Sequence, residues 1–136
     1  METRQHRAFL REVETMKRMA DPHIVTIYGA VTSLQDRLVL VMELLPGGDL
    51  RHRLQRARRP LDERTLRGIV KDVCSGMVFL HASTFVHGGL KSANVLFDAS
   101  GRAKVCAHVF CWFCVLWVYV DCIFVTYIPC LVRSGQ

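Results

Sequence analysis

Charge all but stops at Val105. Of the 18 Lys+Arg and 12 Asp+Glu in the 136-residue chain, only Arg133 and Asp121 lie beyond that residue. The whole net charge of +6 therefore sits ahead of it. Only that first part has the polar surface a globular unit presents to water. The chain reads as a basic, globular segment over 1–106 followed by an apolar tail over 107–136.

The cysteines divide the same way. Cys74 is alone well inside the first part, while Cys106, Cys111, Cys114, Cys122 and Cys130 crowd the second. The opening residues are charged and helix-forming, so no signal peptide is expected. Free thiols in a reducing cytoplasm are the reading for the first part. No internal repeat is visible.

Phe9, Val13, Met16 and Ala20 recur at helical spacing, which predicts an amphipathic helix from Arg4 to Ala20. Asp21-Pro22 stops it, because proline disfavours helical geometry at the residue before it. Ile24 to Thr32 and Arg37 to Leu44 are rich in Val, Ile, Leu and Tyr and flank the polar Ser33-Leu34-Gln35-Asp36, so they predict a hairpin. Pro46-Gly47-Gly48 breaks the chain. A short basic helix follows from Asp49 to Arg58. Asp62 has the chemistry of an N-cap for a long helix, with Leu66, Ile69, Val70, Val73, Met77 and Leu80 on one face. Val95 to Phe97 and Ala103 to Cys106 are short strand candidates around Asp98-Ala99-Ser100-Gly101. This order of elements gives an α+β class.

Val86 to Leu96 reads V-H-G-G-L-K-S-A-N-V-L, which resembles the protein-kinase catalytic loop H-R-D-L-K-x-x-N. The flanks agree in order and spacing. Phe9 to Met19 resembles the family's C helix, with Glu12 at its ion-pairing position. Asp21 to Val25 resembles the loop after it. Leu38 to Leu50 resembles the fifth strand, the gatekeeper at Met42 and the hinge, and the helix capped by Asp62 resembles the E helix. The resemblance covers about residues 4 to 106, a partial protein-kinase-like fold. It runs through the C helix, the hairpin of the fourth and fifth strands, hinge, D and E helices, catalytic loop, and seventh and eighth strands. Lys91-Ser92-Ala93-Asn94 is closer to Ser/Thr and tyrosine-kinase-like members.

Kinases work by positioning ATP, neutralising phosphate charge with Mg²⁺ and holding the acceptor hydroxyl in line. The resemblance implies adenine recognition by main-chain groups of Glu43 and Leu45. Met42 and Leu96 would give apolar walls, and Asp49 would accept from the ribose. It also implies Lys91 on the transferring phosphoryl group, Asn94 on Mg²⁺ and His87 as a structural residue. Each has a plainer reading: Met42 and Leu96 as core, Asp49 as a helix cap, Lys91 as a loop cation and Asn94 as a loop amide.

The pattern also breaks. Gly88 and Gly89 stand where arginine and the catalytic aspartate are expected. Ala107 stands where the metal-binding aspartate of D-F-G is expected. The glycine-rich loop and the lysine partner of Glu12 are not in the sequence, and neither are the activation segment and lower lobe. The resemblance therefore implies an impaired fragment, with an exposed apolar face on the long helix. The alternatives are an active Ser/Thr kinase of which this is an incomplete part, and a small membrane-anchored binding protein.

The tail from Val109 to Val132 is long enough to cross a bilayer, which takes about 20 apolar residues. An apolar helix or a disordered tail is expected there. The loss of pattern in mid-motif is also what a retained intron or shifted reading frame would produce. Cys111-Trp112-Phe113-Cys114 has redox or half-zinc spacing but no second ligand pair. The run Arg51 to Arg59 reads as a solvated basic face; no nucleic-acid partner is expected, because no aromatics interleave it. The expected partners are ATP and another kinase or protein, and the expected location is the cytoplasm, or a membrane if the tail inserts.

Overall fold

The computed structural model describes residues 4–34, 37–107, 116–120 and 123–129. Helix α1 (Arg4–Lys17) buries Phe9, Val13 and Met16. It ends before Ala20 because the chain tightens into turns, with Arg18 N bonded to Thr15 O and Met19 N to Met16 O. Met19 thereby points into a second core cluster with Ile24, Leu80, Val105 and Ala107.

Strands β1 (Ile27–Leu34) and β2 (Arg37–Glu43) form the expected antiparallel hairpin, with Ile27 opposite Met42 and Val31 opposite Val39. Ile24 and Val25 are extended as expected but pair elsewhere. Val25 N donates to Val105 O at 3.0 Å and Val105 N donates to His23 O at 2.7 Å. The loop after α1 is thus a parallel neighbour of the later strand pair rather than the start of the hairpin.

Helix α2 (Leu50–Arg56) follows the hinge, and α3 (Glu63–Ala82) is capped by Asp62, whose carboxylate accepts from Thr65 N at 2.9 Å. The buried stripe of α3 runs through Ile69, Asp72, Gly76 and Leu80. Leu66 and Val70, expected on that face, are 49% and 51% exposed. Gly76 explains the rotation. A Cβ there would lie 2.9 Å from His23 O, so only glycine lets the helix pack this closely on the loop after α1.

A single 3-10 turn (Ser92–Asn94) leads into β3 (Val95–Phe97), which pairs with β4 (Ala103–Val105). Beyond them the described tail is extended. Strands β5 (Leu116–Val120) and β6 (Ile123–Pro129) form a hairpin, and β6 pairs antiparallel with β2 from Arg37 opposite Pro129 to Glu43 opposite Ile123. The sheet order is β1-β2-β6-β5.

Where described, the segment is a pair of strands rather than the apolar helix or disordered tail its sequence suggests. Its Val, Ile, Phe, Tyr and Thr content suits a pleated ladder, and the open edge of β2 supplies the backbone partners. Among the described residues no helix is long and apolar enough to cross a membrane. Cys111, Cys114 and the whole segment 108–115 lie outside the described residues.

Candidate functional site

The hinge and the loop after α3 meet over one apolar floor. Met42, Leu45 and Leu96 are buried in a single cluster with Phe9, Val13, Met16 and Cys106. The floor is pinned to the hinge by main-chain bonds. Gly47 N donates to Phe97 O and Phe97 N to Gly48 O, each at 2.9 Å, and Asp49 bridges Leu96. A Cβ on Gly47 would fall 2.5 Å from Phe97 Cβ, so glycine is required for that approach.

The loop from His87 to Asn94 is held by a closed ring of hydrogen bonds. His87 Nε2 donates to Cys106 O at 2.8 Å, and Cys106 N donates to Asn94 O at 2.8 Å. Asn94 Nδ2 donates to Gly89 O at 2.8 Å, and Gly89 N returns to His87 Nδ1 at 3.2 Å. With Nδ1 accepting and Nε2 donating, the ring selects the Nε2–H tautomer of a neutral imidazole. His87 and Asn94 are both buried, so the ring also satisfies polar groups that would otherwise be costly.

Gly89 contributes only backbone to this ring, and a Cβ built on it meets no atom within 4 Å. Lys91 is exposed at the start of the 3-10 turn, where its carbonyl accepts from Asn94 N at 2.9 Å. Asp49 caps α2: its oxygens take His52 N at 2.8 Å and His52 Nδ1 at 2.6 Å. Glu12 is half-buried on α1 beside Val13.

Among the described residues the donor set does not fit a resident Mg²⁺. Asn94 Oδ1 has no hydrogen-bond partner among the described residues and is one suitable oxygen. Mg²⁺ asks for octahedral oxygen ligation, usually with carboxylates. Ala107 offers none: it is buried in the cluster with Met19, Ile24, Leu80 and Val105. Among the described residues no group of three His, Cys, Asp or Glu side chains could hold a metal.

Two polar clamps were missed from the sequence. Asp72, inside the buried stripe of α3, accepts from Arg102 Nε at 3.1 Å, Arg102 Nη2 at 3.0 Å and Ala103 N at 3.1 Å. His23 joins them, with Arg102 Nη2 3.2 Å from its Nε2 and Asp21 Oδ1 3.1 Å from its Nδ1. The signal was a carboxylate between Ile69 and Val73 on an apolar helix face. The second clamp joins Lys104 to Glu43; its signal was a lysine inside a short strand.

A helix packed on a small antiparallel sheet, a glycine-bearing hinge and a histidine-anchored loop over β3–β4 define a partial kinase-like α+β scaffold. The family described as protein tyrosine and serine/threonine kinase matches residues 1–111. The chain belongs to that family. It is 44% identical over 102 residues to the serine/threonine-protein kinase CTR1 of Arabidopsis thaliana, covering 72% of this chain and 12% of that protein. It is 38% identical over 97 residues to CBL-interacting protein kinase 4 of Oryza sativa subsp. japonica, covering 71% and 21%. With the probable serine/threonine-protein kinase SIS8 of Arabidopsis thaliana the identity is 40% over 100 residues, covering 72% and 10%. The chain thus spans about a fifth or less of the length of these relatives.

Proposed function

We propose that this protein-kinase-family segment acts by binding and does not itself transfer phosphate. The supporting observation is Gly89, which sits in a loop whose hydrogen-bonded frame is intact yet presents no carboxylate at the base position. Loss of a positioned general base alone typically costs about 10²–10⁴ in rate. Ala107 adds the loss of the carboxylate that would share Mg²⁺ with Asn94.

Nucleotide is the ligand this reading retains. ATP would have to open the hinge to lay its adenine against Met42 and Leu96, which are 0% and 5% exposed. Glu43 is already opposite Ile123 in the β2–β6 ladder, so Leu45 is the main-chain contact this reading leaves. Lys91 is the remaining cation of the loop for the phosphates. Asp49 is a poorer ribose ligand than the resemblance implies, because His52 occupies both of its oxygens.

A radiolabelled phosphoryl-transfer assay with purified chain and a general Ser/Thr acceptor protein tests the reading. No incorporation above a heat-treated control is expected, with or without Mg²⁺. Transfer that disappears in Lys91→Ala would overturn it.

A further inference from the structure

Between Leu50 and Leu61 the sequence carries Arg51, Arg53, Arg56, Arg58 and Arg59 and no carboxylate. Arg53 lies over the Phe97 ring, 3.7 Å from its centroid. The other four are exposed, and among the described residues none of them forms a salt bridge. The carboxylates nearest in sequence are already engaged. Asp49 is bound by His52, Asp62 by Thr65 and Glu63 by Arg67. Among the described residues, then, no salt bridge pairs off the positive charge of Arg51, Arg56, Arg58 or Arg59.

The same stretch forms an open groove of about 230 Å³, lined by Leu54, Ala57, Arg58, Arg59, Pro60 and Leu61. Leu54 is 49% exposed at its edge. The groove stands on a fixed base, since α2 is tied to β3 through Arg53 and the paired Gly47, Gly48 and Phe97 backbones. The backbone beneath the groove is thus set before a ligand arrives, while Arg58 and Arg59 still give up rotamer freedom on binding.

We propose that this groove docks an acidic peptide segment of a partner protein. An apolar side chain of the peptide rests on Leu54, Pro60 and Leu61, and flanking carboxylates face Arg58 and Arg59. Exposed arginines outside any salt bridge among the described residues favour an anion, and the guanidinium fork suits carboxylates in particular. The apolar lining selects a ligand with a side chain to bury. No Phe, Tyr or Trp lies between Leu50 and Leu61 to stack on bases or to seat in a lipid interface, which disfavours single-stranded nucleic acid and a membrane surface.

Fluorescence anisotropy of the full chain with a labelled peptide, one phenylalanine between runs of glutamate, tests the proposal. Saturable binding that weakens with added salt is expected. The double variant Arg58→Glu/Arg59→Glu should weaken it about tenfold or more. Leu54→Gln, or serine in place of the peptide's phenylalanine, should each weaken it several-fold. Three results would each overturn the proposal: no binding by wild-type chain that melts cooperatively, undiminished binding by the charge-reversed variant, or indifference to the phenylalanine. Equally tight, charge-dependent binding of oligo(dT) or of phosphatidylserine vesicles would also overturn it, by reassigning the surface to nucleic acid or to lipid.

Discussion

Lys104 Nζ lies 2.8 Å and 2.9 Å from the two carboxylate oxygens of Glu43, joining β4 to the end of β2 across 61 positions of sequence. Thr26 N donates to the same Glu43 carboxylate at 2.7 Å. The side chains are 15% and 19% exposed, so water screens the pair only in part. Removing either partner leaves a half-buried charge, at a cost between that of an exposed and a fully buried pair.

Lys104→Met should therefore destabilise the chain by about 1–3 kcal/mol in urea unfolding. The double variant Lys104→Met/Glu43→Gln should recover part of that loss, because it removes the stranded charge. A single variant as stable as wild type would show that the pair contributes nothing.

Asp72 should be less tolerant than its exposed partner. Asp72→Ala leaves Ala103 N–H without its acceptor and Arg102 without its fork, and about 2–4 kcal/mol of destabilisation is expected. Arg102→Lys keeps the charge and loses the two-pronged geometry, so a smaller cost is expected. Equal losses in the two unfolding curves would contradict this ranking.

Two glycines of α3 should respond to alanine with opposite sign. Gly68 has nothing within 4 Å of its Cβ position, and Gly68→Ala should stabilise the helix by about 0.5–1 kcal/mol. At Gly76 the methyl would lie 2.9 Å from His23 O, and overpacking of about 1–3 kcal/mol should outweigh that propensity gain. Thermal melts of the pair decide it; a rise in Tm for both would show that the loop after α1 yields easily.

Acid should weaken the α3 cap and the β3–β4 turn together. The Thr65 hydroxyl holds the Asp62 carboxyl below its ordinary value, and the Ser100 hydroxyl does the same for Asp98. Both stabilise the fold as carboxylates, fully so above about pH 5. That contribution is lost as pH falls through their lowered folded-state values. An Asp62→Asn/Asp98→Asn chain should show a shallower loss of stability between about pH 5 and pH 2 than wild type. Parallel pH profiles would count against both contributions.

Local chemistry made much of the fold legible. Phe9, Val13 and Met16 marked α1, Asp62 marked the start of α3, and the hairpin of β1 and β2 followed from composition and a polar break. What stayed hidden depended on distant partners. Nothing near Ile24 says that it will pair with Val105, and nothing near Gly76 says that α3 will turn its glycine, rather than Leu66 and Val70, toward the loop after α1. The tail misled for a related reason: its apolar run satisfies a membrane helix and a buried strand alike, and β2 offers an edge that sequence does not display. At the site, the sequence leaves Asn94 open between a metal ligand and a loop amide, and the hydrogen-bonded ring that it forms with His87 is not legible there. The clamps at Asp72 and Glu43 needed the third dimension.

The ring around the loop depends on only two side chains. His87 and Asn94 provide theirs, while Gly89 and Cys106 enter it through main-chain groups that every residue type except proline possesses in full. The frame is therefore blind to what stands at position 89. An evolving chain could lose an aspartate there, or regain one, without the folded loop registering the change. Thermal stability alone would be a poor guide to whether a given copy of this segment is chemically competent.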